Sequence, residues 1–189
     1  MNIRISPFYN DNRNDLQFVS TEEFLNQDRY LLGQVNQKTI GITFRLNYSI
    51  TPNMSVQYYG QPFVSAGRYA EFKRVTTPRA ARYEDRFQNL PGNEIQYDAV
   101  NDEYHVDENL DNMNDYSFGN PNFNFRQFRS NLVMRWEYTP GSTLFLVWAQ
   151  QRTGSDGTGQ FSARRDLTSL FDVYPTNIFL VKFNHWFSL

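Results

Sequence analysis

The chain ends in N-I-F-L-V-K-F-N-H-W-F-S-L, residues 177–189. Alternate residues of an extended strand point to the same side, so this ending has one largely apolar face, interrupted by His185. That face carries Phe179, Val181, Phe183, Phe187 and Leu189. The other face is mixed and carries Lys182, Asn184 and Ser188 beside Ile178, Leu180 and Trp186. An alternating last strand is typical of outer-membrane β-barrels, although a soluble β-sandwich can end in the same way.

Composition excludes several classes of protein. No apolar run in the 189 residues approaches the ~18 that a membrane-spanning helix needs, and the mean hydropathy is −0.65. The net charge of −2 gives no electrostatic reason to bind nucleic acid. The lack of cysteine excludes disulfides and thiolate metal sites. The first residues contain no apolar secretion signal, so for a surface barrel we expect that Met1 is not the natural start.

Four further segments alternate with a period of two, which predicts β-strands with two different faces. They are residues 40–50, 54–64, 126–138 and 143–152. Each has about the 9–11 residues with which a tilted strand crosses a bilayer. Both faces of the fourth segment are largely apolar, so its facing stays open. Weaker candidates lie at residues 3–8, 16–20 and 28–34.

Charged residues in the middle of these segments assign the two faces. Arg45, Arg129 and Arg135 lie opposite apolar rows, and a charge at the middle of a lipid-facing strand is costly. We therefore predict that these arginines and Lys182 face the lumen. The residues predicted to face lipid are Ile42, Phe44, Leu46, Leu132, Met134, Phe179, Val181 and Phe183. A soluble sandwich with one charged, solvated face is the alternative.

The lengths of the connections favour the barrel. Residues 51–53 and 139–142 predict tight turns at one end of the sheet, whereas residues 65–125 and 154–176 form long loops at the other end. Short periplasmic turns and long extracellular loops are the arrangement of outer-membrane barrels. We therefore predict one β-barrel segment over residues 1–189 in the outer membrane of a Gram-negative bacterium, with both long loops extracellular and the C-terminus periplasmic.

The loop at residues 65–125 is the predicted place of a specific function. Its first half is basic and its second half acidic, which favours ion pairs that fold the loop over the barrel mouth. Its aromatic side chains either stack on sugar rings or form a small core, and we favour the core. The residues proposed for ligand contact are Arg79, Arg82, Tyr83, Tyr97 and Tyr104. Ile95–Asp98 and Glu103–Val106 predict a hairpin within the loop.

Two patterns in this loop are weak signals of chemistry. The D-x-N-x-D pattern at residues 107–111 has the first spacings of a calcium loop, but Asn112 stands at the glycine position and Phe118 at the position of the bidentate glutamate. His105 with Asp102 or Asp107 suggests a hydrolase, but the sequence places no particular serine beside them. We therefore predict no catalytic residue, no metal site and no cofactor.

Three stretches resemble a known family. They are L-N-Y-S-I-T-P-N-M-S-V-Q-Y-Y-G-Q-P-F-V-S-A-G-R-Y (residues 46–69), F-R-S-N-L-V-M-R-W-E-Y-T-P-G-S-T-L-F-L-V-W-A-Q-Q-R (residues 128–152) and the ending from Tyr174 to Leu189. These stretches resemble the C-terminal outer-membrane barrel region of a family of unknown function. In that family the barrel follows a carbohydrate-binding module of the family-nine type in a longer secreted chain. No catalytic residues carry over from this resemblance, because none is assigned to the family.

The sequence thus predicts an all-β, antiparallel transmembrane β-barrel, as the C-terminal part of a larger barrel. Five clear strands are too few to close, because small barrels have about 8. The outer strands are therefore expected to pair with upstream polypeptide or with another barrel chain. The expected function is a non-catalytic anchor or passage for a glycan-handling surface protein, with outer-membrane lipid and glycan as partners. Two alternatives stay open: a barrel enzyme with a loop-rim site around His105, and a soluble β-domain that binds a partner.

Overall fold

The chain folds almost entirely into antiparallel β-structure. The structure is a computed structural model that describes residues 1–187, so Ser188 and Leu189 of the last predicted strand lie outside the described residues. The elements are, in chain order, β1 (Asn2–Phe24), β2 (Gln27–Thr51), β3 (Met54–Val75), a 3-10 turn (Glu84–Arg86), β4 (Phe87–Asn89), β5 (Ile95–Asp98), β6 (Glu103–Val106), β7 (Tyr116–Gly119), β8 (Phe123–Thr139), β9 (Ser142–Asp156), α1 (Ala163–Ser169) and β10 (Thr176–Asn184). No helix in that part of the chain is long and apolar enough to cross a bilayer.

Two sheets account for all these strands. The main sheet has the order β1-β2-β3-β8-β9-β10, and the short β4 pairs with the last three residues of β3. Every neighbouring pair is antiparallel, which confirms the antiparallel, all-β prediction. The small sheet has the order β5-β6-β7. Its first two strands are the predicted hairpin at Ile95–Asp98 and Glu103–Val106, which is confirmed.

The first three strands are longer than the sequence predicts. β1, β2 and β3 have 23, 25 and 22 residues, so two of the weak candidates, residues 3–8 and 16–20, are parts of one strand. Because β3 continues to Val75 and β8 begins at Phe123, the loop predicted at residues 65–125 is shorter than predicted. The second loop, predicted at residues 154–176, starts after Asp156 and contains α1. The added parts of these strands are rich in polar residues. Some of their side chains pair with one another across neighbouring strands, as Lys38 does with Asp11 at 4.0 Å.

The connection between β1 and β2 differs from the prediction that tight turns lie at one end only. Leu25 and Asn26 form a two-residue turn at the same end as the long loops. Both have positive φ, 53° and 57°, as the twist of a two-residue hairpin requires. The turn is absent from the sequence prediction because Leu-Asn lacks the usual glycine signal.

The main sheet does not close on itself. β1 and β10 are its outer strands, and among residues 1–187 neither pairs with the other. β10 ends at Asn184, so His185, Trp186 and Phe187 lie beyond the strand that was predicted to include them. The buried core lies instead at the loop end, between the long strands and the small sheet, and comprises Leu31, Phe72, Leu90, Val106, Tyr116 and Phe118.

Candidate functional site

The register of the main sheet sorts its side chains onto two faces of different character. Directly paired residues of antiparallel strands lie on the same face. One row across the sheet is Ile3, Leu46, Tyr58, Leu132, Trp148 and Phe179. The neighbouring row, on the opposite face, is Arg4, Arg45, Tyr59, Asn131, Ala149 and Ile178. We name these the apolar face and the polar face.

The residues predicted to face lipid and lumen fall on opposite faces of the sheet. The apolar face carries Ile42, Phe44, Leu46, Leu132, Met134, Phe179, Val181 and Phe183, and the polar face carries Arg45, Arg129, Arg135 and Lys182. The register also settles the facing of β9, which the sequence leaves open. Leu144, Leu146 and Trp148 pair with Trp136, Met134 and Leu132 and so belong to the apolar face.

Much of the apolar face is not covered by any part of the described chain. On the outer strands, Ile5 is 62%, Phe179 73% and Phe183 64% exposed. Away from the edges, Trp148 is still 39% exposed, and a shallow groove of about 270 Å³ runs between Leu132, Met134, Leu146, Trp148, Phe179 and Val181. A contiguous exposed apolar surface marks a site of contact with membrane or partner.

Aromatic rings gather at the tight-turn end of the apolar face. The Tyr138 ring lies 6.0 Å from Trp136 and 5.5 Å from Phe183, measured between ring centroids. The Tyr138 hydroxyl is 2.8 Å from His185 Nδ1. Such amphipathic rings are favoured where an apolar medium meets water.

At the loop end, by contrast, the segment that contains α1 folds back over the apolar face. Asn124 donates a hydrogen bond to the carbonyl of Gln160 at 2.8 Å, and Arg152 donates to the carbonyls of Phe171 and Val173 at 2.7 and 2.8 Å. The Phe171 ring packs on Phe128, with 5.9 Å between centroids. Asn124, Phe128 and Arg152 all lie on the apolar face by register. Toward the loop end, the uncovered part of the apolar face therefore ends at this segment.

The small sheet covers the polar face at the same end, and we call residues 90–119 the cap. Tyr69, which lies on the polar face, packs against the core that joins the cap to the sheet. Phe72 of β3 lies 4.7 Å from the Tyr104 ring and 5.2 Å from the Phe118 ring. The expectation that the loop aromatics form a core therefore holds for these residues.

One carboxylate fixes the cap to two strands of the main sheet. Glu108 accepts from Arg29 of β2 at 2.9 Å and lies 2.5 Å from Arg74 of β3. The three side chains are 11–14% exposed. Burial, with Glu108 nearby, raises the pKa of the Tyr116 hydroxyl to about 12. Of the basic residues in the first half of the loop, Arg74 makes the predicted pairing with the acidic half.

Four of the five residues proposed for ligand contact have local partners within the chain. Arg82 pairs with Glu84 at 2.6 Å, and Tyr83 packs its ring on Phe87. Tyr97 donates its hydroxyl to Asp102 at 2.6 Å, which lowers the pKa of that carboxyl. Tyr104 is part of the cap core and Arg79 is exposed.

The histidine and the acidic loop of the cap have local partners. His105 Nε2 lies 2.8 Å from Glu103 and 3.9 Å from Asp98. Ser117, which the sequence analysis did not single out, pairs with His105 across the strands, but its hydroxyl accepts from Asn114. Asp107 accepts from the backbone amides of Asp111 and Asn112, so the calcium-like pattern forms a hydrogen-bonded turn.

Comparison with known proteins places the chain in a family. The model of a domain of unknown function (DUF5916) matches residues 1–188. The chain belongs to this family. Membership agrees with the resemblance of the three stretches to a family of unknown function. No curated protein and no solved structure matches the chain.

Proposed function

We propose that this chain of the DUF5916 family is an outer-membrane β-barrel segment, with the apolar face against lipid and the polar face toward the lumen. The observation that carries the proposal is the uncovered apolar face, which extends across six strands. A soluble domain would bury such a face. The function is that of a non-catalytic anchor or passage for a glycan-handling surface protein.

The height of the uncovered apolar surface supports a membrane role. On β8 the uncovered part of this face runs from Phe128, where the α1 segment ends its cover, to Trp136 near the tight turn, and it is apolar except at Ser130. This is close to the 9–11 residues that a tilted strand uses to cross the hydrocarbon. The long strands then project beyond the membrane at the loop end, where the cap and the α1 segment lie.

The two open edges support a barrel that is completed by other polypeptide. Backbone groups left unpaired in lipid cost several kcal/mol each, so a sheet in the membrane must close. We propose that β1 and β10 pair with an upstream part of a longer natural chain or with another barrel chain. Residues 46–69 and 128–152 resemble the barrel region of a family whose longer chains carry a family-nine-type carbohydrate-binding module before the barrel. This resemblance supports pairing with an upstream part of the same chain.

Flotation of the natural full-length protein tests this function. After refolding with lipid vesicles, the protein should float with the vesicles in a density gradient and stay bound in alkaline carbonate. A matched pair of variants separates lipid contact from misfolding: Leu146→Asp on the apolar face should lower the fraction of protein that floats, and Gln57→Asp on the polar face should leave it unchanged. Protein that remains in the soluble fraction as a folded species contradicts the proposal and favours a soluble domain.

A further inference from the structure

We infer that the polar face is a binding surface for anionic solutes that carry carboxylate or phosphate groups. The inference rests on the proposed function, because it names the class of solute that the lumen of the barrel would take. Its basis is a set of cationic side chains on this face: Arg4, Arg45, Arg129, Arg135 and Lys182. The chain as a whole has a net charge of −2, so this concentration of positive charge is local.

Three of these arginines lack acidic partners. Among residues 1–187, no carboxylate lies within 4.0 Å of Arg4, Arg45 or Arg129. We consider the polar face from the tight turns up to the pair of Phe8 in β1 and Gly41 in β2. Glu137 is the only acidic residue on this part of the described strands, and it pairs with Arg135 at 2.9 Å. The positive charge is therefore not neutralised within the described chain.

Two of the arginines occupy paired positions on neighbouring strands. Arg4 and Arg45 are partners in the register of β1 and β2, and like charges in that position repel. A bound anion offsets this repulsion and so binds with a gain in stability. Guanidinium groups also bind carboxylate and phosphate through two parallel hydrogen bonds.

The surroundings of these arginines suit a hydroxylated anion. Arg45 borders a shallow cavity of about 360 Å³, which is also lined by Asn47, Gln57, Tyr59 and Asn131. Arg129 borders a second cavity of about 260 Å³ on the other side of Tyr59. Amide side chains both donate and accept hydrogen bonds and so bind hydroxyl groups. The two cavities share Tyr59 and Asn131, so one extended solute can contact both arginines.

Equilibrium binding to the natural protein in detergent micelles tests the inference, with pyrophosphate and citrate as probes and maltotriose as a neutral control. Calorimetry should detect at least one of the two anions and not maltotriose. The anion that binds more tightly identifies phosphate or carboxylate as the preferred group. If neither anion binds, or if maltotriose binds as tightly, the inference is wrong.

Substitutions assign the binding to this face. Arg4→Gln and Arg129→Gln should each raise the dissociation constant about tenfold, because each removes a charge-assisted hydrogen-bonding group. Arg164→Gln, which removes an exposed charge from α1, is the matched control and should leave it unchanged. Arg4→Gln should also keep or raise the melting temperature, because it removes the repulsion from Arg45, whereas a purely structural role predicts a fall. Equal effects of Arg4→Gln and Arg164→Gln overturn the inference.

Flotation distinguishes a failure of the anion-binding inference from a failure of the membrane proposal. Protein that floats with vesicles but binds neither anion leaves the membrane proposal intact and removes the inference. Protein that binds an anion through Arg4 but never floats removes the membrane proposal and leaves an anion site on a soluble sheet.

Discussion

At the scale of single residues, two glycines of the polar face are covered by phenylalanines from the neighbouring strand. Phe8 is the register partner of Gly41, and Phe123 is the partner of Gly67. In each pair an added Cβ would overlap the ring. The glycines therefore let aromatic rings lie flat on the sheet, a device that stabilises glycine-containing strands.

We predict that Gly41→Ala lowers the free energy of unfolding by about 1–2 kcal/mol, because the Phe8 ring must leave its place. The matched control is Gly92→Ala, where nothing lies within 4 Å of the added Cβ. Denaturant unfolding of both variants in the same detergent measures the difference. Equal stabilities would show that the Phe8 ring does not depend on the glycine.

Tyr116 gives the cap a dependence on alkaline pH. The fold raises the pKa of this hydroxyl to about 12, from an ordinary value near 10. A raised pKa means that the fold favours the protonated form, so the contribution is complete below about pH 10 and is lost as the pH rises toward 12. We predict that the wild type loses about 2 kcal/mol more stability than Tyr116→Phe between pH 9 and pH 11.5. Parallel pH profiles for the two proteins would contradict this assignment.

At the scale of elements, the cap depends on the ion pairs of Glu108. Glu108→Gln leaves Arg29 and Arg74 partly buried without a charged partner, and breaking such a pair typically costs about 3 kcal/mol. We therefore predict that Glu108→Gln lowers the free energy of cap unfolding by about 2–3 kcal/mol, measured by hydrogen exchange of the β6 amides. Glu84→Gln is the control, because Glu84 and Arg82 are 63% and 71% exposed and such pairs contribute less than about 1 kcal/mol. Similar effects of the two substitutions would show that Glu108 does not hold the cap.

The face assignment predicts effects of different size for the same introduced residue at adjacent positions of β8. Leu132→Arg places a charge at the middle of the apolar face and should cost roughly 2–4 kcal/mol in a bilayer. Asn131→Arg places the same charge on the polar face and should cost less than about 1 kcal/mol. Refolding into vesicles at graded urea concentrations measures both. If Leu132→Arg folds as well as Asn131→Arg, the apolar face does not contact lipid.

The strands that the sequence predicts and those that it misses differ in one physical respect. Residues 40–50 alternate strictly, and residues 54–64 and 126–138 alternate over most of their length, because one of their faces is mainly apolar and the other mainly polar. The extension of β1 through Asn10, Asp11 and Asn12 is polar on both faces, so no period is visible there. The way in which the α1 segment and the cap cover the sheet at the loop end is not predictable from the sequence either. It depends on contacts between residues of different elements, such as Arg152 with Phe171.

At the scale of the whole molecule, the main sheet is covered at its loop end and uncovered beyond it. The α1 segment and the cap cover its two faces at the loop end, and the two faces beyond them are uncovered, one apolar and one with unpaired arginines among residues 1–187. The two-faced pattern is predictable from sequence because it follows from alternation. That the sheet stays open is predicted from the small number of clear strands, whereas the identity of its two edge strands, β1 and β10, depends on the pairing of all strands and is visible only in the structure.

The most direct test of lipid contact is a scan of single nitroxide spin labels along β8 in the natural protein, reconstituted in vesicles. This chain has no native cysteine, so each label can be placed through one introduced cysteine from residue 128 to residue 136, after any cysteine elsewhere in the natural protein has been replaced by serine. We predict a period of two: labels at even-numbered positions, such as 132 and 134, collide mainly with oxygen dissolved in lipid, and labels at odd-numbered positions, such as 131 and 133, collide mainly with a water-soluble nickel complex. Equal access of the nickel complex to both sets would contradict the claim that the apolar face lies against the membrane.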